Sequence, residues 1–166
     1  LMQLSNIKHN EGYLDCVKDP MATEEVESMR RWRHHIMITT YEHSVFVSYI
    51  AFRLARRWNC DCRMAARMGL LHDLYLYDSK SADFGLIKQC FKHPATALEN
   101  ARAITDINSQ EENIILSHMW PISTKAPHSK EAWIVNLADK VCSIMEVSCL
   151  SRLTWVRQKL PAPCWS

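Results

Sequence analysis

Six side chains of the kinds that bind divalent cations are spread along the chain: His43, the adjacent pair His72-Asp73, His93, His118 and Asp139. Each falls at a helix end or on the inward face of an apolar, helix-patterned run, which makes convergence on one region feasible. Four imidazoles and two carboxylates form a mixed nitrogen and oxygen donor set. Such a set suits iron, manganese, zinc or cobalt better than magnesium or calcium. Six donors are too many for one open catalytic ion and suit two. Taken singly, each residue has an ordinary explanation. An inward His such as His43 is often hydrogen-bonded in a core, and an inward Asp such as Asp139 is often paired with Arg or Lys. Asp139 nevertheless interrupts the stretch Trp133-Ile134-Val135-Asn136-Leu137-Ala138, where a charge is costly unless it is paired or bound to a cation. It is the set that points to metal chemistry.

The elements that must position these donors read as helices. Thr23, followed by Glu24-Glu25-Val26-Glu27, has the hydroxyl cap and acidic first turn of a helix start. Thr39-Thr40 can cap a second helix to about Trp58, with Val47, Ile50, Ala51, Leu54 and Ala55 on its buried side. His43 lies one turn before Val47 and shares that side. A third helix, Arg63 to Leu74, carries Ala66, Leu70 and Leu71 inward and ends on His72-Asp73. A short helix is expected over Phe84–Phe91. A separate one then begins at His93-Pro94, with the proline in its first turn and His93 aimed outward from its start. Asn108 or Ser109 caps the next, which stops at His118-Met119-Trp120-Pro121. A last long helix opens at His128 or Ser129 and runs to about Arg157. The expectation is an all-α, single-domain bundle of six to seven helices. An irregular N-terminal arm (1–22, with breakers at Gly12 and Asp19-Pro20) precedes a domain over 23–160 with its core at 38–147, and 161–166 form a tail.

Composition excludes several classes. With 166 residues, 48% hydrophobic and 23% charged, the chain is globular and of single-domain size. Its glycines are only Gly12, Gly69 and Gly85, so no glycine-rich loop is available to cradle a phosphate or a dinucleotide. A formal net charge of +2 implies no commitment to a nucleic-acid polymer or a membrane surface. Seven cysteines without scaffold spacing, and no signal-peptide or membrane-spanning pattern, make a soluble, reduced, cytoplasmic chain the expectation. Cys60-x-Cys62 lacks the second cysteine pair that a zinc finger would need.

The order His43, His72-Asp73, then a distant Asp139, resembles the HD-domain phosphohydrolase superfamily over residues 38 to 147. Tyr41-Glu42-His43-Ser44 and Leu70-Leu71-His72-Asp73 look like the first two helices of that family, and Leu137-Ala138-Asp139-Lys140 like its closing motif. His93 and His118 match the histidines of its two-metal branches. The strings His93-Pro94 and His118-Met119-Trp120-Pro121 are similar to those of a bacterial subgroup. By that analogy His43, His72 and Asp139 hold one metal, His93 and His118 the other, and Asp73 bridges them. The implied activity is hydrolysis of a phosphate ester or anhydride by a hydroxide between two transition-metal ions, iron foremost. The implied partner is a small phosphorylated substrate, nucleotide-like by preference, with room left for a homodimer.

Other candidates are less specific. Lys140, directly after a ligand, is either a phosphate contact with a catalytic role beside Asp73 or a salt-bridge partner of an acid such as Glu42. Arg33 and His34, with Arg30, Arg31 and His35, form a basic patch that is either a solvated helix end or a substrate-facing surface. Lys92 is a weaker candidate for the same task. Glu42 or Asp78 can orient a water or a ligand imidazole, and Trp120 or Tyr77 can stack on a base or pack in the core. His9 and His128 read as surface residues. Two rival functions share the same donors: a di-iron oxygenase of a small molecule, and a nucleotide-binding sensor with little turnover.

Overall fold

A computed structural model of the chain describes residues 2–32, 38–77 and 85–147. Seven helices run through them: α1 (Met2–Met21), α2 (Glu24–Ser28), α3 (Thr40–Arg57), α4 (Cys62–Leu71), α5 (Gly85–Ile104), α6 (Ser109–Ser117) and α7 (Lys130–Val147). A single 3-10 turn, Met29–Arg31, follows α2, and no strand occurs among the described residues. The fold is all-α. No helix there is long and apolar enough to cross a membrane.

Local chemistry starts the helices where the sequence marks them. Thr39 and Glu42 form a reciprocal capping box on α3: the Glu42 backbone N–H donates to Thr39 Oγ1 at 3.2 Å, and the Thr39 N–H donates to Glu42 Oε2 at 2.9 Å. Asn108 and Glu111 repeat the device on α6, Asp61 caps α4 by accepting from the Met64 N–H at 2.9 Å, and Thr23 caps α2. The centre of the molecule is α3, which packs most extensively on α4 and next on α7. Phe46, Phe52, Met68, Leu70, Leu71, Ile114, Ile115 and Ile134 are fully buried between these helices. Each contributes about 1.5–3 kcal/mol by leaving water.

Two expectations are corrected. Residues 1–22 were expected as an irregular arm, whereas Met2–Met21 form helix α1. Tyr13, Cys16, Val17 and Pro20 recur at helical spacing and are buried, with α1 lying on α4. Tyr13 donates its hydroxyl to Ser48 Oγ at 3.0 Å, and Ser48 in turn donates to the Ala66 carbonyl at 2.7 Å. One interior glycine costs a helix only about 1 kcal/mol, less than burial of Tyr13 and Val17 returns. In the same way the two helices expected on either side of His93-Pro94 are one, α5, with Pro94 inside it. The proline removes one backbone hydrogen bond, but burial of Ala97, Leu98 and Ala101 on the following turns keeps the axis going. His93 therefore sits mid-helix rather than at a start. The expected extension of α7 to Arg157 lies outside the described residues.

Candidate metal centre

The ends of α4 and α6 are built alike. Both helices finish one residue before a histidine, His72 and His118, which serves as the C-cap. Each of these histidines turns its Nδ1–H back onto the carbonyl three residues earlier, His72 to Gly69 at 2.8 Å and His118 to Ile115 at 2.7 Å. A carbonyl can only accept, so in both rings Nδ1 carries a proton and Nε2 is the nitrogen directed away from the helix. Asp73 follows His72 and is buried.

The other donors come from three helices. His43, in the first turn of α3, is completely buried. Its Nε2 lies 3.2 Å from Asp139 Oδ1 on α7. His93 on α5 places Nε2 at 2.8 Å from His118 Nε2. Two ring nitrogens at that distance require a proton or a cation to reconcile them, and His118 already commits its proton on the opposite side of the ring.

All six residues singled out by the sequence are thus brought together, in two groups that share Asp73. His43, His72 and Asp73 form one group able to hold a metal ion, and Asp73, His93 and His118 the other. The shared carboxylate divides between them. Asp73 Oδ2 lies 3.9 Å from His43 Nε2 and 3.7 Å from His72 Nε2, while Oδ1 lies 3.3 Å from His93 Nε2 and 3.5 Å from His118 Nε2. Asp139 Oδ1 joins the first group at 3.8 Å from His72 Nε2. Ligands about 2.0–2.2 Å from a common ion stand about 3 Å apart when at right angles and about 4 Å apart when opposite, so separations of 3.3 to 3.9 Å fit donors around a cation. His72 Nε2 is buried without a hydrogen-bond partner, as a ligand nitrogen facing a metal position would be. The donor set fits two divalent ions.

The electrostatics follow from packing carboxylates among imidazoles away from water. Burial alone would push the His43 pKa down, but the Glu146 and Asp139 carboxylates overcome it and raise it to about 10. Burial likewise opposes the charge on His72, and Asp73 and Asp139 raise it. Asp139 is held well below the ordinary carboxylate range: burial would raise it, and the facing His43 and His72 more than reverse that. Protons on these imidazoles and cations between them answer the same negative charge.

Glu146 was missed as a site residue. It lies on α7, is almost fully buried, and accepts the Nδ1–H of His43 at 2.8 Å. The one signal in the sequence is its place seven residues after Asp139, two turns along the same helix face.

The remaining candidates sit elsewhere. Lys140 is half-buried, with its pKa lowered by burial, and its Nζ donates to the His118 carbonyl at 3.0 Å, not to Glu42. Glu42 serves the cap of α3. Arg30 pairs with Glu27 at 2.7 Å and lies over the Tyr41 ring. Tyr77 is half-buried and packs on Tyr75, whose ring meets that of His93 edge-on at 5.8 Å. Trp120 is half-buried, and Lys92 and His128 are exposed. Cys60 and Cys62 are free thiols. Arg33, His34, His35 and Asp78 lie outside the described residues, as does the side chain of His9.

Comparison with known proteins adds one match. The family model of the HD domain matches residues 40–144, a span that runs from the first turn of α3 into α7 and contains all six donors. No curated protein and no solved structure matches the chain. With its ordered histidines and aspartates folded into one buried cluster across that span, the chain belongs to the HD-domain family.

Proposed function

We propose that this chain is a metal-dependent phosphohydrolase that uses two divalent transition-metal ions to cleave a phosphate ester or anhydride of a small, nucleotide-like molecule. The observation that carries the reading is the division of the Asp73 carboxylate, one oxygen towards His43 and His72 and the other towards His93 and His118. When bound, the ions supply the Lewis acidity that neutralises a phosphoryl oxygen and makes water nucleophilic at neutral pH. The residues do the positioning. His72 and His118 are locked by their carbonyl contacts and His43 by Glu146, so little reorganisation is needed as charge develops. Iron, manganese, zinc and cobalt all suit the donors, and iron is the first to test.

The test is reconstitution. Metal-depleted protein is reloaded with each of these ions and offered a panel of nucleotides and simple phosphoesters, with phosphate release and bound metal measured together. Phosphate release that requires two ions per chain supports the reading. Oxygen uptake by the iron-loaded protein, with no phosphate released from any substrate, replaces it with oxygenase chemistry. Nucleotide binding without turnover replaces it with a sensor.

A further inference from the structure

We infer that the two metal positions fill in order, the His43 side first, and that Glu146 is the positioning residue that sets this order. The inference rests on the two-metal reading above. The two halves of the centre are unequal. On one side stand His43, His72, Asp139 and one oxygen of Asp73; on the other stand His93, His118 and the second oxygen of Asp73. Among the described residues the first side has one more donor and one more whole negative charge, and cation affinity follows both.

Glu146 widens the difference. His72 and His118 are backed by neutral backbone carbonyls, but His43 is backed by a carboxylate at 2.8 Å. That contact fixes the proton on Nδ1, aims Nε2 at the cation position and makes it a stronger donor. The Glu146 and His43 side chains are buried to 1% and 0% exposure, so water screens little of this charge. Glu146 also shares its helix face with Asp139. Helix α7 thus supplies one ligand to the first position and holds a second ligand, from α3, in place.

Titration of metal-free protein with Mn(II), reading free Mn(II) by electron paramagnetic resonance, tests this without any assay of turnover. The wild-type chain is expected to bind two ions in two classes, the first tighter. Glu146→Gln keeps an oxygen able to accept from His43 and removes the charge. It is expected to weaken the first class about 10- to 100-fold and leave the second near its wild-type value. His93→Ala is expected to remove the second class and spare the first. Thermal melting of each metal-free variant checks folding. If Glu146→Gln does not fold, Glu146→Asp, which keeps the charge at shorter reach, is expected to recover most of the first-class affinity. Two indistinguishable classes in the wild type, or an unmoved first class in Glu146→Gln, overturn the inference while leaving the two-metal reading standing. A wild-type chain that binds fewer than two ions overturns the two-metal reading and, with it, the order.

Discussion

Asn136 donates from Nδ2 to the backbone carbonyl of His118 at 2.7 Å, and the same nitrogen stands 3.2 Å from the Ser117 carbonyl and 2.9 Å from that of Trp120. These carbonyls belong to the end of α6, where the last groups of a helix lose their partners within the helix. Lys140, one turn further along α7, donates to the same His118 carbonyl at 3.0 Å. The turn that carries His118 is therefore fastened to the helix that carries Asp139. One half of the candidate metal centre is hung from the other.

Asn136→Ala should leave buried carbonyls at the α6 end without their donor, at a cost of about 1–3 kcal/mol. Because the turn holds His118, affinity for the second ion should fall as well, while the first ion keeps its ligands. Denaturant melts of metal-free protein, paired with Mn(II) titration, measure both effects. Unchanged stability would show that the amide is not what holds the turn.

Asp73→Ala removes the only residue common to both groups. The second position would keep two imidazoles and lose the ion, and the first, left with His43, His72 and Asp139, would bind more weakly. Helicity should persist, because α4 ends at Leu71 and Asp73 lies beyond it. Elemental analysis with circular dichroism reads both. Two ions retained per folded chain would remove the bridging role.

Much of this centre was legible in the sequence because its signals are local. The spacing of His43 to Val47 places the imidazole inward, and Thr39-Thr40 mark the start of α3. What escaped was non-local. Glu146 meets His43 across 103 positions, and Asn136 meets the α6 carbonyls across 16 to 19. Helical spacing puts Glu146 on the face of Asp139, but it does not say which residue of another helix either side chain meets. α1 and α5 were misjudged for a different reason. Gly12 and Pro94 are real costs to a helix, but the buried stripe of Tyr13, Cys16 and Val17 and that of Ala97, Leu98 and Ala101 outweigh them.

The stability of the metal-free protein should depend on pH through His43, with His72, also raised in the fold, acting in the same direction. The folded His43 pKa of about 10 stands above the ordinary value of 6.5. Its contribution is therefore complete below pH 6.5 and is lost progressively as pH rises towards 10. Asp139, depressed in the fold, acts in the opposite, acidic range and does not blur this window. Comparing unfolding midpoints at pH 6 and pH 9 should show a decline in the wild type and a shallower one in Glu146→Gln. Equal slopes in the two proteins would mean that Glu146 does not hold the proton on His43.

Gly69 ties the packing of the centre to its chemistry. A Cβ at this position would stand 2.9 Å from Ser48 Cα and 3.2 Å from the Ser48 nitrogen, both backbone atoms of α3 with no side chain free to move aside. Helices α3 and α4 can approach this closely only because residue 69 is glycine. The Gly69 carbonyl is also the acceptor that orients His72. Gly69→Ala must push α4 away from α3, and overpacking of this kind costs about 1–3 kcal/mol. It should also move His72 off its position opposite Asp139. Ala is the better helix former, so on propensity alone the substitution would stabilise α4 by about 1 kcal/mol. The two arguments have opposite signs. A lower melting temperature with weakened first-ion affinity identifies close helix contact as the dominant effect, and a higher melting temperature with unchanged affinity would refute it.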